Sequence, residues 1–570
     1  MGGPKAPKDP ESKRPFFYVM REKEIFGTKQ PDGRGIQYIY EDMGRLENSA
    51  RVAGDITDEE ILTLLQDVAG FRKLVHSIGI RVEADDSTQN VEFLFQMYGE
   101  KDKLGGGTML RCPLCTDGAE VRIDLSGQQW SEDDKEPGQM LFVFDKPELL
   151  ATASVRFFLN DGYQAPEIDE EAEIDYTSEA YQEMIARSLM QMGDTGRVRR
   201  AINKAQNGES VTIAYIGGSI TQGAGATPIN CECYAYKSYR DFVRVCGGGK
   251  NIRFVKAGVG GTPSELGMIR FERDVLRDGE ETPDIVVVEF AVNDDGDETR
   301  GNCYESLVRK ILTLPNRPAV ILLFSVFAND WNLQDRLGVV GERYQLPMVS
   351  VLNAVTPQFR LKQGQGRVLS KNQYFYDMFH PTNAGHTVMA DCLTYFFTQA
   401  AKQESAAGQD PLEKGLPEPV IGADFERVRL LDKKDMPEGA KVTCGSFGFT
   451  DTELQEVEMD ENLVCTPEFP YNWMYCGQKA ENVGQAFTLE LSCKALLLIF
   501  KDSGEVRVGR AEVFVDGERK LVADPHINGW LHCNPVILLQ EQETKRHEIR
   551  IQMAAGDEEK EFTILGFGYV

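Results

Sequence analysis

Four short stretches of this chain carry side chains suited to nucleophilic chemistry. Gly217-Gly-Ser-Ile-Thr-Gln-Gly223 hands over a serine straight after two glycines, the signature of a tight turn that presents a hydroxyl. Ala257-Gly-Val-Gly-Gly-Thr262 is a glycine-rich loop, and Glu289-Phe-Ala-Val-Asn-Asp294 delivers an asparagine. Asp377-Met-Phe-His-Pro381 sets a carboxylate three residues before an imidazole. A serine hydroxyl is a poor nucleophile at neutral pH and needs an adjacent base. Asp three residues before His on a turn lets both side chains face one way, with the carboxylate behind the ring. Between residues 186 and 402 the histidines are His380 and His386, so a histidine base has few candidates. Each stretch also has a plainer reading. Gly-Gly-Ser is a common turn, Asn293 can cap a turn and Asp294 the next helix, and His386 reads as a packing or hydrogen-bonding residue. The 257–262 loop lacks both the Lys-Ser/Thr of a nucleotide loop and the spacing of a dinucleotide fingerprint.

The elements around these stretches give them a common address. Val211-Thr-Ile-Ala-Tyr-Ile216 reads as a strand running into Gly217, preceded by a short basic helix over 195–206. Strand-like runs follow at 252–255, 285–289, 319–326 and 348–351. Helix-like stretches separate them at 234–245, 264–276, 304–312, 331–344 and 384–399. Such alternation predicts a parallel sheet covered on both faces. Ser219, the 257–262 loop and Asn293 each follow a strand, at the edge where open α/β sheets place ligands. Residues 1–15 read as a disordered tail. Residues 16–185 read as a β-rich sandwich with one clear helix, capped at Thr57-Asp-Glu-Glu60, and strands at 91–98, 119–125, 140–144 and 154–159. The acidic run 167–175 reads as a solvated linker, and 403–418 as a second linker. Residues 419–570 return to β signals, including an Asp516-Gly517 hairpin turn, and read as a second sandwich.

At 570 residues the chain is too long for one core. Its net charge of −28 argues against nucleic acid or an anionic membrane as partner. No apolar run is long enough to span a bilayer, and the amino terminus shows no secretory pattern. Twelve cysteines without a repeating framework predict reduced thiols and a cytoplasmic location. Cys112-Pro-Leu-Cys115 is a single C-x-x-C without a partner pair, and no Cys/His cluster calls for a metal. Cys231 and Cys233 read as packing residues. Trp331 could stack on a sugar at the site's rim or sit in the core. Phe469-Pro-Tyr-Asn-Trp-Met-Tyr475 could be a sugar platform or an interface, and the interface reading is preferred.

Taken together and in this order, the four stretches resemble the SGNH/GDSL hydrolase superfamily over roughly 195–400. The wording Gly217–Gly223, Phe290-Ala-Val-Asn-Asp294 and His380-Pro-Thr-Asn-Ala-Gly-His386 resembles bacterial carbohydrate esterases that remove acetyl groups from polysaccharides. Ala291 and Lys256 depart from the family's usual glycine and asparagine. The resemblance implies a flavodoxin-like α/β hydrolase domain over 186–402, flanked by N-terminal and C-terminal β-sandwich domains. It implies Ser219 as nucleophile, His380 as base and Asp377 as its orienting carboxylate. It also implies an oxyanion hole from the Ser219 and Gly261 amides and the Asn293 side chain, the first helped by a helix amino terminus. No cofactor or metal is implied. The expected activity is a serine esterase that deacetylates oligosaccharides such as those of xylan or mannan. An esterase or lipase for another small acyl ester, and a non-catalytic carbohydrate-binding protein, are the alternatives.

Overall fold

The computed structural model describes residues 14–29, 35–40, 46–246, 251–403, 410–458, 465–479 and 484–570. Most of the expected tail (1–15) and part of the expected 403–418 linker lie outside the described residues. The chain forms two compact units. The first comprises Met1–Tyr181, Phe327–Asp330 and Val355–Gly385, and the second Gln182–Val326, Trp331–Ala354 and His386–Val570.

The first unit is built on nine antiparallel strands: β1 (Phe16–Phe26), β2 (Thr28–Lys29), β3 (Ile36–Tyr40), β4 (Val75–Glu83), β5 (Asn90–Gly99), β6 (Met109–Cys115), β7 (Val121–Asp124), β8 (Asp134–Phe144) and β9 (Leu150–Leu159). They pair in two sheets, β1-β9-β4-β7 and β2-β3-β8-β5-β6. Alternating residues of both sheets, among them Phe17 and Phe157 from one and Phe93 and Phe142 from the other, meet in a single core. Phe71 lies at its centre, with ring centroids 5.6 Å from Phe95 and 5.4 Å from Phe157. Burying such a ring contributes roughly 1.5–3 kcal/mol. Three short helices, Leu46–Ala53, Glu59–Leu64 and Val68–Leu74, stand where the sequence suggests one. Asp58 rather than Thr57 is the cap, accepting the Glu60 N–H at 2.9 Å. The acidic run is no free linker. Asp169 pairs with Arg367 at 2.7 Å, and Glu171 accepts from Asn372 Nδ2 at 3.0 Å.

The second unit holds the parallel sheet: β10 (Leu189–Gln191), β11 (Val211–Gly217), β12 (Ile252–Gly258), β13 (Ile285–Glu289), β14 (Ala319–Phe324) and β15 (Met348–Ser350). The parallel strands run β12-β11-β13-β14-β15, the doubly wound order whose switch point lies between the first and third strands. β10 pairs antiparallel at one edge. Every residue of β11, β13 and β14 is buried, as both-face coverage requires.

The last 150 or so residues do not fold as the separate sandwich expected for 419–570. Strands Glu456–Glu458 and Cys465–Pro467 continue the parallel sheet beyond β12. The other strands form one antiparallel sheet whose long strand, Phe487–Asp502, is buried on both faces along its second half. There Leu496, Leu498 and Phe500 point into the sheet's own core, whereas Ala495, Leu497 and Ile499 join the core of the α/β sheet. A period of two thus divides one strand between two cores. At Gly568 a Cβ would stand 2.6 Å from Ile269 Cδ1, so the sheet and the helix Ser264–Asp274 pack too closely for a side chain there. The second half of the expected linker is pinned as well, by Arg197–Asp410 at 2.8 Å and by Arg343 Nε donating to the Glu418 carbonyl at 2.7 Å.

Candidate active site

Ser219 begins a one-turn helix, Ser219–Gln222, directly after β11. With a single turn, its contribution is the local amide donors and not the macrodipole of a long helix. Gly218 is required by a close approach: a Cβ there would lie 2.7 Å from both Cγ and Nδ2 of Asn293. The Asn293 carboxamide therefore lies against the peptide that leads into Ser219, at the switch point between β11 and β13. Among the described residues Asn293 Oδ1 accepts no hydrogen bond.

Buried charged groups lock the strand ends. Arg270 is fully buried and donates from Nη1 to the Ala257 carbonyl and from Nη2 to the Gly217 carbonyl, both at 2.9 Å, tying β12 to β11. Burial disfavours the Asp274 carboxylate beside it, but the Arg273 and Arg270 guanidiniums outweigh that and hold its pKa below the usual value. Glu289, at the end of β13, accepts from Thr221 Oγ1 at 3.1 Å and from Ser325 Oγ. Thr221 also bonds Tyr234 Oη at 2.8 Å, so the serine's helix is fastened from below. His386 is buried; its Nδ1 accepts the Tyr234 N–H and its Nε2 donates to the Ala224 carbonyl, each at 3.1 Å. Both ring nitrogens are thus used in packing the serine's loop.

Asp294 caps a helix, but not the next one along the chain. It accepts from both the backbone and the hydroxyl of Ser264, at 2.8 and 2.7 Å, and so joins the β13 loop to the β12 loop. Burial, with Asp297 and Glu289 nearby, raises its pKa to about 7 against the Ser264 bonds.

Gly261 has φ +68°, a conformation L side chains rarely adopt, and a Cβ there would meet Trp530 at 2.8 Å. Trp530, in the loop that leads into the last sheet, and His532, at the start of its strand His532–Met553, have ring centroids 4.7 Å apart. Gln455 completes the hold: its Nε2 donates to the Gly260 carbonyl at 2.8 Å and its Oε1 accepts the Cys533 N–H at 3.0 Å. Burial pushes the His532 pKa down to about 4 against a backbone bond at Gly260. Sequence reasoning missed Gln455, Trp530 and His532, since nothing in a polar coil or a late β segment announces a contact with residue 261.

Asp377 and His380 lie in the first unit, on a turn. Asp377 is 2% exposed; its Oδ1 accepts the N–H groups of Phe379 and His380, and its Oδ2 accepts His380 Nδ1–H, all at 2.7 Å. The carboxylate fixes the imidazole's tautomer, leaving Nε2 as the basic nitrogen. Tyr376 N–H closes the turn onto the His380 carbonyl at 2.8 Å.

Of the remaining candidates, Trp331 is half-buried and packs against the α/β core. Phe469, Trp473 and Tyr475 are buried and Tyr471 is exposed. Cys112 is buried and Cys115 exposed on one strand, and eleven described cysteines are free. Among the described residues, no group of three or more His, Cys, Asp or Glu could hold a metal ion, and no helix is long and apolar enough to cross a membrane.

Residues 215–388 match the model of the GDSL-like lipase/acylhydrolase family. No curated protein matches the chain. Among solved structures, the chain is similar to a two-domain esterase (CEX) active on acetylated mannans, at 26% identity and a TM-score of 0.57 over 68% of this chain and 98% of that one. The same esterase co-crystallised with mannopentaose matches at 26% identity and a TM-score of 0.56, over 68% and 97%. Over residues 215–388, therefore, this chain carries an SGNH/GDSL-type hydrolase fold and resembles carbohydrate esterases.

Proposed function

We propose that the protein is a serine esterase that removes O-acetyl groups from oligosaccharides. Ser219 Oγ attacks the acetyl carbonyl carbon while His380 Nε2 takes its proton, and Asp377 stabilises the imidazolium that forms. The Ser219 and Gly261 amides and Asn293 Nδ2 receive the developing oxyanion. Collapse breaks the ester C–O bond, and the imidazolium returns the proton to the sugar oxygen. Water, deprotonated by the same imidazole, then attacks the acetyl-serine, releasing acetate and restoring the hydroxyl. The observation that carries this reading is the Asp377–His380 bond at 2.7 Å, reinforced by two amides on the same carboxylate. It orients a basic nitrogen, which a protein that merely binds sugar does not need.

The mannan-active neighbour makes acetylated manno-oligosaccharides the first substrate to try, with xylo-oligosaccharides second. Trp530, half-buried beside Gly261, offers an aromatic surface to a sugar ring. The free thiols suit a cytoplasmic enzyme acting on imported oligosaccharides. The test is release of acetate from p-nitrophenyl acetate and from acetylated mannan and xylan fragments. Turnover that disappears in Ser219→Ala supports the proposal. Wild type and Ser219→Ala equally idle on all three substrates overturn it.

A further inference from the structure

Lys23 stands on β1, between exposed Glu22 and Glu24, yet it is itself only 3% exposed. Register shifts on either side of Met20, with Glu22 at φ +49°, mark bulges in this strand, and bulges re-aim side chains. The Lys23 ammonium donates to the carbonyls of Asn372 at 2.6 Å and Phe375 at 2.5 Å. The next carbonyl, that of Tyr376, accepts from Tyr40 Oη at 3.3 Å. Tyr38 Oη meets Tyr376 Oη, and Glu171 receives both Ser370 Oγ and Asn372 Nδ2. The backbone acceptors leading into Asp377 are thus satisfied by side chains of the N-terminal sheets, and buried carbonyls without partners are costly. All of these supporting residues lie outside the matched stretch 215–388.

We infer that Lys23 is a positioning residue for the Asp377–His380 pair, and that through it the N-terminal sheets belong to the catalytic apparatus. The inference rests on the proposed triad. The charged groups acting on Lys23 are Glu171 on the acidic run, Asp377 on the turn and Arg21 on its own strand. Burial lowers its pKa to about 7, opposed by the Glu171 and Asp377 carboxylates. On the acid side of that value the ammonium is charged, and it adds positive charge beside the Asp377 carboxylate that holds His380.

The experiment compares full-length wild type, Lys23→Met and Lys23→Gln by kcat, KM and pH profile on p-nitrophenyl acetate, with thermal midpoints measured alongside. Lys23→Met is expected to lower kcat about ten- to hundred-fold, the scale of a misplacement of about an ångström, with KM within about two-fold. Its acid limb should move to higher pH, because one cation fewer lies beside the Asp377 carboxylate that partners the imidazolium. Lys23→Gln restores a donor without the charge, so it should recover part of kcat but not the limb. Folded variants with wild-type kcat and an unmoved limb overturn the inference. If neither variant folds, Glu171→Gln decides: it removes an anion that keeps Lys23 protonated, so the upper edge of the kcat profile should move to lower pH, and an unmoved edge overturns the inference. Wild type that turns over, with Ser219→Ala dead and the Lys23 variants unaffected, sinks this inference alone. Wild type without turnover sinks the esterase reading and this inference with it.

Discussion

The surroundings of Ser219 and those of His380 are built by different means. Ser219 and Asn293 hang from the ends of adjacent parallel strands whose every residue is buried, so the sheet's register places them. His380 sits on a turn with little regular structure of its own. Its place is set by discrete bonds: Asp377 from within the turn, Lys23 and Tyr40 from the N-terminal sheets, and Glu171 from the acidic run. The serine side tolerates the loss of one bond because strand pairing remains. The imidazole side has few bonds, so each counts for more.

The largest effect is expected from Asp377→Asn, which would release the tautomer lock: kcat should fall about 10⁴-fold with KM little changed in steady-state assays. A loss below ten-fold would mean that the turn holds its imidazole by other means. Asn293→Ala probes the serine side and should cost about 10²–10³ in kcat, or about 3–4 kcal/mol of transition-state stabilisation. Equal losses in kcat and kcat/KM would identify a donor that acts only on the oxyanion.

A pH prediction separates the last sheet from the turn. His532 has its pKa lowered from 6.5 to about 4. The unfolded chain therefore binds a proton more readily between those values, and the contribution is fully present above 6.5 and lost as pH falls toward 4. Unfolding scans should show up to about 3 kcal/mol lost across that window, and His532→Gln should flatten the dependence. The smallest effect is expected from Gln455→Ala, which frees the Gly260 carbonyl. It should cost about 1–2 kcal/mol of stability and lower kcat, leaving the acid limb where it was. A shifted limb would tie the last sheet to the imidazole and not to the oxyanion loop.

The same contrast explains what could be read from the sequence. β11, β13 and β14 announce themselves through largely apolar runs such as Ile285–Glu289, because both-face burial writes hydrophobicity into consecutive residues. Ser219, Gly261, Asn293, Asp377 and His380 stand out by type and spacing. Lys23 does not: in Arg21-Glu-Lys-Glu24 it reads as one more charge on a solvated strand. Its burial depends on carbonyls some 350 positions away, a separation no local pattern encodes. That the final segment packs on the α/β core is not legible in the sequence for a related reason. The alternation in Phe487–Asp502 marks a sheet with two faces, but not that the second face is covered by another core.

The central claim is that His380 activates Ser219. The direct measurement is covalent labelling with diisopropyl fluorophosphate, with the adduct located by tandem mass spectrometry and its rate compared between wild type and His380→Ala. The account predicts one adduct on Ser219, forming at least about a hundred-fold more slowly without the imidazole. An adduct on another residue, or Ser219 reacting equally fast in His380→Ala, would contradict it.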